Sequence, residues 1–199
     1  MQDAPPHREG GHPLQSHWTL WEHKELGKGA SADDWSNAAG VLSDFRTVED
    51  FWRIWNNVPA PSDLFFNGKQ KRKLVRSGAI EALSIFKKGI RPEWEDPANK
   101  DGGELRKAVT LDQLDQLWES VVLNLIGESL DPGDEVCGVR IVDKSYQTDR
   151  GTKASFRLEV WFRNKKTHDV TERIKTNLRG CLKNRDGTTD SSKIDTRSH

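Results

Sequence analysis

The chain has 199 residues, of which 34% are hydrophobic and 31% charged, and its 31 Lys and Arg balance 31 Asp and Glu. This balance argues against a protein that coats a nucleic-acid backbone, because such proteins carry an excess of positive charge. No apolar run reaches the ~20 residues that span a bilayer, and residues 1–11 lack the apolar segment of a signal peptide. The composition predicts one soluble globular domain.

Two cysteines, Cys137 and Cys181, stand far apart in the chain. They are too few for a disulfide framework or for a zinc site built on cysteine. We find no His/Cys metal spacing and no nucleophile motif, so we expect no metal, no cofactor and no enzyme. The cysteine usage fits a reducing compartment, which is the cytoplasm or also the nucleus.

The first elements in chain order are an arm, a strand and a helix. Residues 1–11 are rich in Pro, Gly and charge and are expected to be disordered. The alternating pattern of Ser16–His23 predicts a strand. Thr47 followed by Asp50 is an N-cap signature, which starts a predicted helix over residues 47–57. Its apolar residues recur at helical spacing: Val48, Phe51, Trp52 and Trp55.

Two more helices and two flexible segments are predicted after this helix. Residues 60–82 form a Lys/Arg-rich connector that is longer than most loops, and it is interpreted as an insertion, a flexible lid or a basic arm. Apolar periodicity predicts helices from Leu111 to Ser129 and from Val170 to Leu182, although Gly180 weakens the second. Residues 184–199 are expected to be a flexible tail that forms only part of a last strand.

Two further strands are predicted, Gly138–Asp143 and Ser155–Arg163. In the second strand one face is wholly apolar, whereas the other carries Trp161 between charged residues such as Arg157. Core packing explains a tryptophan in that position poorly, so we interpret this face of the strand as a functional surface. Strands and helices do not alternate regularly, so we predict an α+β domain with a mostly antiparallel sheet.

Short segments along the chain combine into one pattern. They are, in order, HPLQ at 12–15 with Trp18 and Trp21, TVEDFW at 47–52, GIRPEWED at 89–96 with Asn99, Lys100, Gly102 and Gly103, LIGES at 125–129, and VCG at 136–138. In this order the chain resembles, as a divergent member, the eukaryotic translation initiation factor 4E family of mRNA 5′ cap-binding proteins. The similarity covers about residues 12–183, with insertions near 60–82 and 145–153.

The resemblance implies a fold and a place for the ligand. The fold is a curved antiparallel sheet of about eight strands with three long helices on its convex face. The 7-methylguanosine cap would lie on the concave face. The implied role is mRNA cap binding in translation initiation.

The resemblance also implies which residues hold the base. Trp35 and Trp94 would sandwich it, and Trp161 would touch the methyl group on N7. Methylation at N7 makes guanine a cation, and indole faces attract cations. Glu95 would accept the N1–H and N2–H donors of guanine through charge-assisted hydrogen bonds. Each role has an alternative: Trp35 and Trp94 as loop tryptophans that lie against the surface, Glu95 as an exposed, solvated acid, and Trp161 as a cross-strand packing residue.

Cations for the triphosphate are implied at Arg157, at Lys144, where the family more often has arginine, and at Lys153. Each is otherwise an ordinary exposed charge. Glu104 departs from the family pattern, because it replaces an arginine on the phosphate side and would oppose phosphate.

The convex face is the implied docking surface for a helix of an initiation scaffold or of a 4E-binding repressor. The positions that match are His12, Pro13, Val48, Trp52, Leu123 and Gly127. Trp52 fits the core as an alternative, and Glu119 with Ser120 departs from the usual docking surface. Alone, the chain is expected to be a monomer.

Two other functions stay open from the sequence. The first is a divergent paralogue that acts as a translational repressor or protein-interaction module with weak cap affinity. The second, an enzyme such as a cap hydrolase, is disfavoured because the chain has no nucleophile motif.

Overall fold

The computed structural model describes residues 11–27, 29, 31, 34, 38–65, 73–74, 78–131, 133–164, 168–182, 190 and 192–199. Within those ranges the strands are β1 Pro13–Lys24, β2 Ala39–Thr47, β3 Lys73–Leu74, β4 Gly78–Lys87, β5 Gly103–Val109, β6 Val136–Asp143, β7 Tyr146–Thr148, β8 Gly151–Lys153, β9 Phe156–Phe162 and β10 Ile194–Ser198. The helices are α1 Val48–Trp55, α2 Pro61–Leu64, α3 Leu114–Ile126 and α4 His168–Cys181.

The strands form one curved antiparallel sheet in the order β10-β5-β9-β6-β4-β1-β2, and β3 adds a short pairing to β4. The hairpin of β7 and β8 pairs only with itself among the described strands. Three of the helices are longer than one turn, and α2 is a single short turn. This architecture confirms the predicted α+β class with about eight strands and three long helices.

The core lies between the helices and one face of the sheet. Every second residue of β9 is at most 1% exposed and belongs to this core: Phe156, Leu158, Val160 and Phe162. Apolar residues of α3 and α4 pack against them, among them Val121 and Ile174. Each Å² of apolar surface that is removed from water stabilises this packing by about 25 cal/mol. The sheet face opposite the helices remains available for a site.

Helix α1 begins as predicted. Thr47 has extended backbone angles, and its hydroxyl accepts a hydrogen bond from the backbone N–H of Asp50 at 3.1 Å. This bond satisfies an amide that has no partner inside the helix. Phe51 is buried against Phe45 and Trp55 and fixes the helix on the sheet.

Part of the stretch that was expected to be a connector has regular structure. Helix α2, strand β3 and the start of β4 all fall within residues 60–82. Near the other end of the chain, α4 continues through Gly180 to Cys181. Strand β10 pairs with β5 over its whole length, so this portion of residues 184–199 completes one edge of the sheet.

An ion pair between a buried lysine and a partly exposed aspartate attaches the segment before β10 to the sheet. Lys107 is 2% exposed, and its Nζ lies 2.7 Å from Asp190 Oδ2. Burial alone would raise the pKa of Asp190, but hydrogen bonds from Lys107 and Ser192 outweigh it and lower this pKa to about 2. The pair therefore stabilises the fold fully above the ordinary aspartate pKa and loses its effect as pH falls towards 2.

We expect Asp190→Asn to lower the free energy of unfolding at pH 5 by more than it does at pH 2. Urea unfolding of both proteins at pH 5, 4, 3 and 2 measures this difference. Asp195→Asn, at an exposed carboxylate of β10, is the matched control and should show a smaller change. A difference between wild type and Asp190→Asn that stays constant from pH 5 to pH 2 would contradict the assignment.

Candidate ligand-binding site

The sheet face opposite the helices carries rows of charged side chains in register. One row runs across five strands: Asp195, Arg106, Glu159, Arg140 and Ser84. The next row towards one sheet end is Arg197, Glu104, Trp161, Gly138 and Phe86. Positive and negative residues alternate along the first row, so each charge has an opposite neighbour on the adjacent strand.

Glu159 is the best connected residue of these rows. It is 1% exposed, and its Oε1 accepts hydrogen bonds from Arg157 Nε at 2.7 Å and lies 2.6 Å from Arg157 Nη2. Its Oε2 accepts a bond from Trp161 Nε1 at 3.1 Å. Burial alone would raise the pKa of Glu159, but Arg140, Arg157 and these hydrogen bonds outweigh it and lower the pKa.

Glu104 has a different electrostatic state. It is fully buried and accepts a hydrogen bond from Arg106 Nε at 2.6 Å. Burial and the negative charge of Glu159 raise the pKa of Glu104. Arg106 pairs with this carboxylate, and the carboxylate is buried. It therefore opposes a phosphate less than its sequence position implied.

Trp161 lies on the face of β9 opposite the helices, as predicted, but its side chain is covered by other residues. It is 1% exposed and packs edge-on against Phe86, with ring centroids 5.5 Å apart. Gly138 makes this contact possible, since a Cβ there would lie 2.5 Å from the Phe86 ring. His199 contacts the tryptophan ring at 4.5 Å between centroids. The functional surface that was predicted from the alternating pattern of β9 is therefore covered by other side chains at Trp161.

Trp94 lies on the loop between β4 and β5, and Asn99 fixes that loop. Asn99 is fully buried, and its Nδ2 donates hydrogen bonds of 2.8 Å to the carbonyl groups of Arg91 and Glu93. The bonds hold the backbone on both sides of Pro92, while Trp94 itself stays 48% exposed. A large aromatic ring that is held at a rigid loop and left half in water is typical of a ligand contact.

Two residues from β10 and the position after it cover part of the Trp94 ring. The His199 ring is nearly parallel to it, at 5.9 Å between centroids and 23° between planes. The Arg197 guanidinium lies 5.8 Å from the ring centroid. Glu95 is exposed beside Trp94, and Trp35 lies outside the described residues.

The predicted phosphate-side cations gather at one end of β6 and β9. Arg157 is half-buried and paired with Glu159, whereas Lys144 follows β6 and its Nζ lies 2.9 Å from Glu81 Oε1. The Lys144 amide donates to the Ser155 carbonyl at 2.8 Å, which places it close to the start of β9. Lys153 is exposed on β8, in the hairpin that extends from this end.

Sequence reasoning missed Arg106 and Arg140, which the strand register places beside Glu159. Arg106 belongs to a strand that was not predicted from the local pattern. The available signal was the spacing of opposite charges two residues apart, Glu104 with Arg106 and Arg157 with Glu159, because side chains at that spacing share a face of a strand.

The positions predicted for a partner helix lie on the other side of the molecule. Val48 and Trp52 are 38% and 39% exposed on α1, and His12 Nδ1 lies 2.6 Å from Glu49 Oε1 at the start of that helix. The remaining positions are Pro13, which is exposed, Leu123, which is half-buried on α3, and Gly127, which caps α3. The Ser16 hydroxyl donates to Glu128 at 2.8 Å, so β1 connects the two helix ends.

Other chemistries find little support in the described ranges. Across these residues, no group of three or more His, Cys, Asp or Glu side chains is arranged to hold a metal ion. No helix among them has both the length and the apolar character needed to span a bilayer. Cys137 and Cys181 are buried, and burial raises the pKa of these thiols to about 12 and about 11, so neither is a ready nucleophile.

Comparison with known proteins decides the family. The model of the family described as "Eukaryotic initiation factor 4E" matches residues 13–195. The chain belongs to the eukaryotic initiation factor 4E family. It is 36% identical to translation initiation factor 4E-2 of Schizosaccharomyces pombe over 94% of this chain and 67% of that protein. It is also 36% identical to factor 4E1 of Drosophila melanogaster over 86% of this chain.

The chain covers only part of some 4E relatives, for example 58% of the Drosophila protein. Solved structures match it more completely. Ascaris suum eIF4E-3, in complexes with an m7G cap and with an m2,2,7G cap, aligns with a TM-score of 0.72 and 27% identity over 95% of this chain and 92% of that chain. Caenorhabditis elegans eIF4E-3 in complex with the 4E-binding protein Mextli also aligns with a TM-score of 0.72, at 25% identity over 94% of this chain and 93% of that chain.

Proposed function

We propose that this chain binds the 7-methylguanosine 5′ cap of mRNA and acts in translation initiation. One observation carries the proposal: the loop fixed by Asn99 presents a half-exposed Trp94 beside an exposed Glu95 in a member of the 4E family. Trp94 and Trp161 also contact the same ring, that of His199. The solved structures of its neighbours with cap ligands support the same function. The family consists of initiation factors, so the site binds its ligand without a chemical step.

The base is recognised by its charge and by its hydrogen-bonding edge. Trp94, with Trp35 on the opposite face, attracts the cationic ring by about 1–2 kcal/mol more than a neutral ring where water is excluded. The Glu95 carboxylate accepts both N–H donors of the guanine edge, which adenine does not present. Trp161 contacts the methyl group, and its fixed orientation comes from Glu159.

The triphosphate lies towards the end of β6 and β9. Arg157 is the central cation, because Glu159 orients it from one side and leaves it 29% exposed on the other. Lys144 and Lys153 add point charges at greater exposure. With these three cations assigned to the phosphates, we expect a modest salt dependence compared with that of proteins that coat RNA.

The opposite surface binds protein partners in this proposal. A helix of an initiation scaffold or of a 4E-binding protein would pack on the surface of His12, Pro13, Val48, Trp52, Leu123 and Gly127. An exposed tryptophan on a helix is a common centre of binding energy. The structural neighbour in complex with Mextli supports this kind of partner. The site of action would be the cytoplasm, and also the nucleus.

A direct titration tests the proposed function. The purified protein is titrated with 7-methyl-GTP and, in parallel, with GTP, while intrinsic tryptophan fluorescence is recorded. We expect saturable quenching by 7-methyl-GTP, with an affinity at least about tenfold above that for GTP, which corresponds to about 1.4 kcal/mol from the base charge. Equal, weak responses to both nucleotides would show that the pocket does not recognise the methylated base.

A further inference from the structure

The imidazole of His199 already contacts two of the residues that the proposed function assigns to the base. Its centroid is 4.5 Å from that of Trp161 and 5.9 Å from that of Trp94, to which it is nearly parallel. Its Nδ1 lies 3.0 Å from the carbonyl oxygen of Asn99. Since a carbonyl only accepts, Nδ1 carries the hydrogen, and the ring is held by a bond as well as by stacking.

The pairing of β10 with β5 determines the position of the His199 ring. Strand β10 pairs with β5 from Ile194 to Ser198, and the His199 amide then donates to the Gly102 carbonyl at 3.2 Å. Close approach of the two strands depends on Gly103, because a Cβ there would lie 2.5 Å from the Arg197 carbonyl oxygen.

Two planar groups cannot occupy the same contact. A methylated guanine that stacks on Trp94 and touches Trp161 must contact both rings at once, and the His199 ring already contacts both of them. Arg197 covers the Trp94 ring from β10 as well. Imidazole and guanidinium resemble the ligand in being flat and able to carry positive charge, which are the properties that indole faces attract.

We propose that His199 occupies part of the base site in the ligand-free protein and leaves it when the methylated base binds. This inference rests on the proposed cap function. An intramolecular competitor reduces the apparent affinity by the fraction of molecules whose site is open. The segment 194–199 would therefore set the affinity for the cap without contributing to the bound state.

The test is the 7-methyl-GTP titration of His199→Ala and His199→Asn. The asparagine variant keeps an N–H donor for the Asn99 carbonyl but removes the ring, so it separates stacking from support of the loop. We expect both variants to bind about 3- to 10-fold more tightly, through faster association, as for a site that is open about 10–30% of the time. His168→Ala, at an exposed histidine of α4, is the matched control and should leave the affinity unchanged.

Weaker binding by both His199 variants would overturn the inference, because His199 would then be a contact to the bound base. Unchanged binding would overturn it as well, because the ring would not compete. A ligand-free measurement separates this inference from the proposed function. We expect the His199 ring protons to be shifted upfield in NMR spectra by the Trp94 and Trp161 ring currents, and Trp94→Ala to reduce that shift.

The two measurements together distinguish the possible failures. Saturable 7-methyl-GTP binding with unshifted His199 protons would overturn the inference and leave the cap function intact. Shifted protons without any 7-methyl-GTP binding would overturn the cap function and, with it, the competition.

Discussion

Trp94→Ala is expected to weaken 7-methyl-GTP binding by about 100-fold while leaving the fold unchanged. Loss of base stacking costs about 1–3 kcal/mol on alanine substitution, and loss of the cation–π attraction adds about 1–2 kcal/mol. The sum, about 2–5 kcal/mol, corresponds to about 30- to 4,000-fold in affinity. The fold should tolerate the change because Trp94 is 48% exposed, and Asn99, not Trp94, makes the hydrogen bonds that fix the loop.

The matched control is Trp52→Ala, at a tryptophan that is 39% exposed on the opposite surface. We expect this variant to bind 7-methyl-GTP like wild type and to lose a helical 4E-binding peptide, whereas Trp94→Ala retains the peptide. Tryptophan fluorescence and calorimetry measure the two affinities, and circular dichroism checks the fold. Retention of cap binding by Trp94→Ala would remove the main support for the proposed site.

The three long helices of this chain could be predicted from local patterns because their signals are local. The Thr47 cap and the stripe that contains Phe51 predict a helix over 47–57, and α1 spans Val48–Trp55. The prediction for β9 also succeeded, since one face is wholly apolar and buried against the helices. These features follow from side-chain spacing within one element, so no knowledge of distant partners is required.

Strand β5 shows where local reasoning fails. It contains Glu104 and Lys107, which are buried, whereas charged residues usually indicate solvent exposure. Each is neutralised by a partner: Glu104 by Arg106 within the strand, and Lys107 by Asp190, which is distant in the sequence. A pattern of polar and apolar residues does not reveal such pairings, and the strand was therefore missed.

The candidate site was predictable in part for the same reason. Trp94 and Glu95 belong to a compact motif, and the structure places that motif on an exposed loop. Arg140 and His199 reach the site through pairing of strands that are distant in sequence. Their positions depend on the register of the sheet, which no local pattern specifies. The burial of Trp161 has the same origin, because Phe86 and His199 come from other elements.

Glu159→Gln is expected to weaken both the fold and the site. Glu159 accepts from Trp161 through one oxygen and from Arg157 through the other, so a single buried carboxylate fixes a base contact and a phosphate contact. A glutamine offers one acceptor oxygen and therefore serves only one of the two partners. Loss of a charge-assisted bond at a buried site costs about 1.5–3 kcal/mol, and we expect the free energy of unfolding to fall by about 2 kcal/mol.

The effect on affinity has two components of opposite sign. Release of Trp161 or Arg157 from its fixed position weakens binding, by about tenfold if it costs ~1.4 kcal/mol. Removal of a negative charge beside Arg157 favours the phosphates, but Arg157 is 29% exposed, and water screens a charge at that exposure. We expect the loss of positioning to be larger.

Glu104→Gln separates the two components. Glu104 is also buried on this face and paired with an arginine two residues away on its own strand, but it accepts a hydrogen bond from Arg106, whereas Trp161 donates to Glu159. It therefore removes the same charge from the same face without releasing the tryptophan, and we expect its 7-methyl-GTP affinity to stay equal or rise slightly. If titrations showed equal changes for both variants, Glu159 would act only through its charge. A loss confined to Glu159→Gln would establish that the charged row of the sheet orients the two halves of the cap site together.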